Sequence, residues 1–159
     1  AAGTARRVLV IDLGVHQGDG THACLAGDPD SLTVAVNGGA NYPFRRVPGD
    51  IEVDLPDGAG DDRYLGAVEQ VLAAAMADAT GAAADICFYL AGADPYSGDR
   101  LGRLGVSQDG LAVRDRLVRD ALRAAGVPVC VALAGGYGEP IDHTVAINAR
   151  TVRTFAGGE

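Results

Sequence analysis

The chain has 159 residues, 48% of them hydrophobic and 21% charged, a length and mixture that exclude a disordered or fibrous protein and predict one globular domain over residues 1–159. Its formal net charge of -8 and sequence pI near 4.7 exclude direct grip on nucleic acid phosphates, which needs clustered Lys and Arg. No apolar run reaches the roughly 18 residues that span a bilayer, and Ala1 to Arg7 lacks the apolar core of a secretion signal.

Ala1-Ala2-Gly3 suits the end of a helix, and Val8 to Ile11 then reads as a buried strand feeding the glycine-rich loop Asp12 to Gly20. Thr21 to Ala26 forms a short helix for which Asp19 serves as N-cap, ended by Gly27-Asp28-Pro29. Leu32 to Val36 is a second strand, Asn37 to Gly49 a long irregular loop, and Ile51 to Leu55 alternates apolar and acidic residues as a half-exposed strand does. From Asp61 the spacing becomes helical through Tyr64, Leu65, Val68, Val71, Leu72 and Met76. Asp85 to Leu90 is the next strand, followed by the loop Ala91 to Leu104. Ser107 caps a helix carrying Leu111, Val113, Leu117, Val118 and Leu122 down to Gly126. Val127 to Leu133 is a strand, Ala134 to Gly138 a glycine loop, and Asp142 to Phe155 the closing helix.

Strands alternating with helices predict an α/β domain, a mostly parallel sheet between two helical layers. In such sheets ligands bind beyond the carboxyl ends of the strands. Three glycine-rich loops follow apolar strands here, and their polar residues are Asp12 with His16, Asp94, and Tyr137. In an extended segment positions 12, 14 and 16 share a side, so Asp12 and His16 flank a glycine where a carboxylate would complete a metal-binding cluster. Gly18-Asp19-Gly20 lacks the further glycine and the ribose-binding acid of a dinucleotide loop. Cys24, Cys87 and Cys130 are odd in number and lie in apolar surroundings, which predicts buried free thiols in a reducing cytoplasm.

The run Asp12-Leu13-Gly14-Val15-His16-Gln17-Gly18-Asp19-Gly20 resembles the zinc-site motif of the histone deacetylase family, Asp-x-Asp-x-His-(His or Gln)-Gly-Asp-Gly. The Gln17 variant is most similar to class IV enzymes and their bacterial relatives. Further along, Asn41-Tyr42-Pro43-Phe44-Arg45, Gly60-Asp61-Asp62-Arg63-Tyr64-Leu65, Ala91-Gly92-Ala93-Asp94-Pro95, Asp99-Arg100-Leu101-Gly102-Arg103-Leu104 and Ala134-Gly135-Gly136-Tyr137 resemble successive segments of those proteins, in the same order.

The resemblance implies the three-layer arginase/deacetylase fold and a zinc amidohydrolase acting on acetylated lysine or a small acetylated amine. It implies that His16 and Asp94 bind zinc, that Asp12 supports a bound potassium and the neighbouring ligand, and that Tyr137 hydrogen-bonds the substrate carbonyl. The chain also departs from the family pattern. Gly14 stands at the position of a zinc-binding Asp, Ala35 where the family often has the Ser of a potassium site, and Asn37 and Asn148 where it often has His. The paired histidines that act as general base do not occur; the histidines are His16, His22 and His143.

The expectation is therefore the C-terminal portion of a deacetylase-like domain, incomplete at its N-terminal side and impaired in catalysis. The alternative is a noncatalytic remnant or interaction module that keeps the scaffold. Such a segment exposes an edge strand and an apolar face, which predicts self-association or pairing with a chain that supplies the missing half.

Overall fold

Short apolar segments rich in β-branched or aromatic residues, each bounded by glycine, proline or aspartate turns, become the strands of the sheet. The computed structural model of the chain describes residues 5–157, so the helix end expected at Ala1-Ala2-Gly3 lies outside the described residues. The elements are β1 (Val8–Asp12), α1 (Asp19–Leu25), β2 (Ser31–Gly38), β3 (Ile51–Leu55), α2 (Asp61–Ala77), α3 (Ala79–Ala82), β4 (Ile86–Gly92), α4 (Gln108–Ala125), β5 (Val129–Ala134) and α5 (Ile141–Ala156).

The five strands form one parallel sheet in the order β3-β2-β1-β4-β5. The chain first steps outward from β1 to β2 and β3, then crosses back to β4 and on to β5. Right-handed crossovers in opposite directions place α1 on one face and α2 and α4 on the other. The packing agrees: α1 lies on β2, while α2 packs against α4 and α4 against α5. The result is the expected three-layer α/β/α architecture.

Register decides which residues form the core. Leu9 and Ile11 pair laterally with Leu32 and Val34 on one side and with Cys87 and Tyr89 on the other, so all six face one layer. Tyr64, Val68, Val71 and Leu72 of α2 and Leu111, Val118 and Leu122 of α4 close over them, and all are buried. Each such side chain removed from water contributes about 1.5–3 kcal/mol.

Several boundaries move for local reasons. β2 takes in Asn37 and Gly38, and β4 takes in Ala91 and Gly92, because neighbouring strands supply ladder partners: Asp54 and Leu55 for the first pair, Leu133 and Ala134 for the second. Ser107 caps α4 as expected, its Oγ accepting from the Gly110 amide at 2.9 Å. Asp19 does not cap α1; Gly18 holds that position, and Asp19 sits in the first turn, where its charge suits the helix dipole. Position 18 itself has no room for a capping side chain, since a Cβ there would stand 2.7 Å from Asp12 Oδ2.

All three cysteines are free thiols, as expected, but only Cys87 is buried, and burial pushes its thiol up to about 12. Cys24, on the seven-residue α1, and Cys130, on the edge strand β5, are exposed. The two edges also differ. β3 carries Glu52 and Asp54, whereas β5 reads Val-Cys-Val-Ala-Leu-Ala with no charge, and Phe88 and Leu133 on and beside it are exposed. Among the described residues no helix is long and apolar enough to cross a membrane.

Leu111 joins the sheet to the helical layer, and its truncation leaves a cavity that the surrounding strands cannot close. Leu111→Ala is expected to lower stability by about 2–5 kcal/mol in chemical denaturation without loss of the native circular dichroism spectrum.

Candidate functional site

β1 and β4 are hydrogen-bonded neighbours, with Asp12 beside Leu90. Because the connections that follow them run to opposite faces, their loops part at the carboxyl end of the sheet and leave a crevice there. Asp94 lies in that crevice and is 5% exposed. Its Oδ1 accepts a hydrogen bond from the Val15 amide at 2.9 Å, and its Oδ2 lies 3.2 Å from His16 Nδ1. Both contacts join the β1 loop to the β4 loop, so two residues 78 positions apart in sequence form one pair.

The third loop closes from the β5 side. Gly135 has φ 63, and a Cβ there would fall 2.2 Å from Asp94 Oδ2, so only glycine fits. Asp12 Oδ1 accepts from the Gly14 amide at 3.1 Å. Burial pushes the Asp12 carboxyl up to about 6; the Gly14 hydrogen bond opposes this and the Asp94 charge adds to it. The hydrogen bond with Asp94 raises the His16 imidazole above its ordinary value, against a smaller opposing effect of burial. At Gly14 an added Cβ would stand 3.3 Å from Asp12 Oδ1 and 3.3 Å from Asp94 Oδ1. Position 14 thus faces Asp12 and Asp94, the second of which His16 approaches.

His16 also lines a cavity of about 510 Å³ with Asn41, Tyr42, Phe44, Leu101 and Arg103. The Tyr42 and Phe44 rings meet edge to face at 6.4 Å and form an exposed apolar lip. A cavity with apolar walls and an imidazole beside it can hold an apolar chain that ends in a polar group. Tyr137 is half-exposed and lines a neighbouring depression with Arg100, Glu139, Pro140 and Ile141, rather than the His16 cavity. The remaining histidines are engaged elsewhere. His22 Nδ1 lies 3.0 Å from the Val47 carbonyl and His143 Nδ1 lies 2.8 Å from the Tyr96 hydroxyl.

Two supports of the site went unread in the sequence. Asp99 accepts from the Leu101 and Gly102 amides, each at 2.8 Å, through one oxygen and from the Tyr137 amide at 2.5 Å through the other. It ties the β4 loop to the tyrosine loop; an Asp preceding a glycine by three residues is the available turn signal. The second support is a half-buried polar cluster around Glu52. Glu52 Oε1 accepts from Gln17 Nε2 at 2.6 Å, Asn37 Nδ2 at 3.0 Å and Arg46 Nη2 at 3.1 Å. Gln17 in turn holds Val47, donating to its carbonyl at 2.9 Å and accepting from its amide at 3.0 Å. Burial alone would raise the Glu52 carboxyl, but the hydrogen bonds from Gln17, Asn37 and the Gly49 amide together hold it below the usual range.

Comparison with known proteins bears directly on this geometry. The family model for the histone deacetylase domain matches residues 1–152. The chain belongs to the histone deacetylase family. It is 40% identical over 144 residues to an uncharacterised protein of Picosynechococcus, covering 90% of this chain and 47% of that one. It is 33% identical to Histone deacetylase 2 of Arabidopsis thaliana, covering 82% of this chain and 34% of that protein. An HDAC homolog solved in complex with SAHA superposes with a TM-score of 0.82 at 20% identity, covering 99% of this chain and 43% of that one. This member of the family therefore spans less than half the length of these relatives.

The depressed carboxyl of Glu52 makes a pH-dependent contribution to its stability. A group held below its unfolded pKa of about 4.3 stabilises the fold above that pH and loses its contribution as pH falls through the folded value. Glu52→Gln is expected to cost about 1–3 kcal/mol at pH 7, and urea denaturation should show the gap from the parent closing as the pH drops below about 4.

Proposed function

We propose that this chain is a segment of a histone-deacetylase-type amidohydrolase whose metal site is one donor short, and that alone it does not turn over acetylated amines. The observation that carries this reading is the arrangement at position 14, where a glycine's missing side chain is aimed at Asp12 and at Asp94, the partner of His16.

The remaining donors suit zinc in part. Tetrahedral zinc with bonds of about 2.0–2.1 Å holds two donors about 3.3 Å apart, and His16 Nδ1 and Asp94 Oδ2 stand at 3.2 Å. Catalytic zinc sites use three protein ligands and keep a further position open. Among the described residues no three His, Cys, Asp or Glu side chains group closely enough to hold a metal ion. The donor set does not fit a catalytic zinc.

In this reading His16 and Asp94 are the surviving metal donors, and Asp12 steadies the loop between them and is the residue for a potassium ion. Tyr137 is the group that would polarise a substrate carbonyl. His22 and His143, each with another partner, do not replace the paired general base. Acetylated lysine or a small acetylated amine, each a neutral amide on an apolar chain, matches the apolar cavity beside His16.

Gly14→Asp supplies the third donor. In the absence of metal it should lower the melting temperature, because like charges crowd; added zinc should restore it, with affinity raised more than about tenfold by calorimetry. Adding His16→Ala should abolish that gain. An acetyl-lysine reporter should remain uncleaved by Gly14→Asp; efficient turnover would overturn the account of the missing base, and unchanged zinc affinity would overturn the metal reading.

A second reading, a scaffold that works by pairing with another chain, draws on the uncharged edge of β5. An unprotected apolar edge is a template for strand addition. Light scattering is expected to show concentration-dependent association that Ala132→Lys suppresses, whereas a monodisperse monomer at every concentration would count against this reading.

A further inference from the structure

We propose that Arg114 is a positioning residue for the His16–Asp94 pair, holding the exit of β4 in place while Tyr64 holds the exit of β1. The inference deepens the metal-site reading and rests on it only for the pair's purpose, not for the geometry.

Arg114 lies on α4 and is fully buried. Removing a guanidinium from water carries a penalty of several kcal/mol, and a well-packed apolar residue commonly serves stability as well. Its contacts supply a better reason for it. Nη1 donates to the Gly92 carbonyl at 2.5 Å. Nε donates to Asp115 Oδ1 at 2.9 Å, and Nη2 lies 2.8 Å from the same oxygen.

Asp115 is itself held from other sides, accepting from the Tyr89 hydroxyl and from the Thr151 hydroxyl, each at 2.6 Å. A carboxylate anchored by β4 and α5 therefore aims the guanidinium, and the guanidinium grips a carbonyl.

That carbonyl belongs to the last residue of β4, two positions before Asp94. The space there is tight: a Cβ at Gly92 would meet Asp94 Oδ1 and the Gly14 Cα, both at 2.7 Å. Gly92 thus packs against both the Asp94 carboxylate and the β1 loop with no room for a side chain, so its position bears on both.

The neighbouring exit is held in parallel. The Tyr64 hydroxyl donates at 2.7 Å to the carbonyl of Leu13, the residue between Asp12 and Gly14. Tyr64 is fully buried, and burial pushes its phenol up to about 12, so it remains a neutral donor. α2 and α4 pack side by side, and each extends one polar side chain beneath the crevice to one of the two strands that open it.

Native-state amide hydrogen exchange at Val15 tests this, since that amide donates to the buried Asp94 Oδ1. Arg114→Met alone would orphan the Asp115 charge, so Arg114→Met with Asp115→Asn removes both charges together. Arg114→Lys keeps a cation that can still reach one carbonyl. Val118→Ala, on the same helix and in the core, is the control for global destabilisation.

The double variant and Tyr64→Phe are expected to speed Val15 exchange roughly tenfold or more beyond the change in global stability. Val34 and Val36 in β2 should follow the global change alone, and Arg114→Lys should recover part of the protection. Val15 exchange that tracks global stability in the double variant as it does in Val118→Ala overturns the proposal. Selective loss at Val15 together with no zinc uptake by Gly14→Asp would leave the positioning role standing and remove the metal reading.

Discussion

β1 and β4 run side by side with Asp12 opposite Leu90, and the chain beyond them turns toward opposite faces of the sheet. This divergence creates the crevice, because neither loop can cover the end of the other's strand. Asp94 then fills it, taking the Val15 amide with one oxygen and His16 with the other. The glycines around it follow from the same constraint: with Gly135 so close to the carboxylate, a side chain would expel it from its place.

The charge balance of the crevice gives Gly14 a physical meaning. Two carboxylates, Asp12 and Asp94, already share a poorly solvated space, which raises the Asp12 carboxyl. Like charges at about 4 Å repel by about 4 kcal/mol at the effective dielectric of a protein surface. A third carboxylate at position 14 needs a cation to offset that repulsion. With glycine there, that third charge is absent, and Asp94 meets the His16 imidazole and the Val15 amide.

Legibility in the sequence followed the range of the forces involved. β3 over Ile51–Leu55 and the Ser107 cap depend on neighbouring residues and were readable directly. α4 was read less well. Val113 and Leu117 look like members of an apolar stripe, but both are only partly buried, while Arg114 and Asp115 lie inside. A buried ion pair inverts the rule that charged residues face water, and its partners Tyr89, Thr151 and the Gly92 carbonyl come from other elements. The Glu52 cluster was hidden for the same reason, since Gln17, Asn37 and Arg46 come together only when the loop after β2 folds back over α1. Cys130 is exposed together with its register partner Phe88 on the same face of the sheet, which strand order and helix placement decide and composition does not.

The sequence by itself determined the alternation of strands and helices, the three loops that carry polar residues, the family, and the absence of a carboxylate at position 14. These are properties of residue type and local spacing, which need no knowledge of what lies across the sheet. Only the tertiary structure decided that His16 and Asp94 are direct partners, that Tyr137 lines a neighbouring depression, and that Arg114 and Tyr64 stand beneath the strand exits. Each of those depends on strand order and helix packing, where residues far apart in the chain meet and burial changes what a charge or a hydroxyl does.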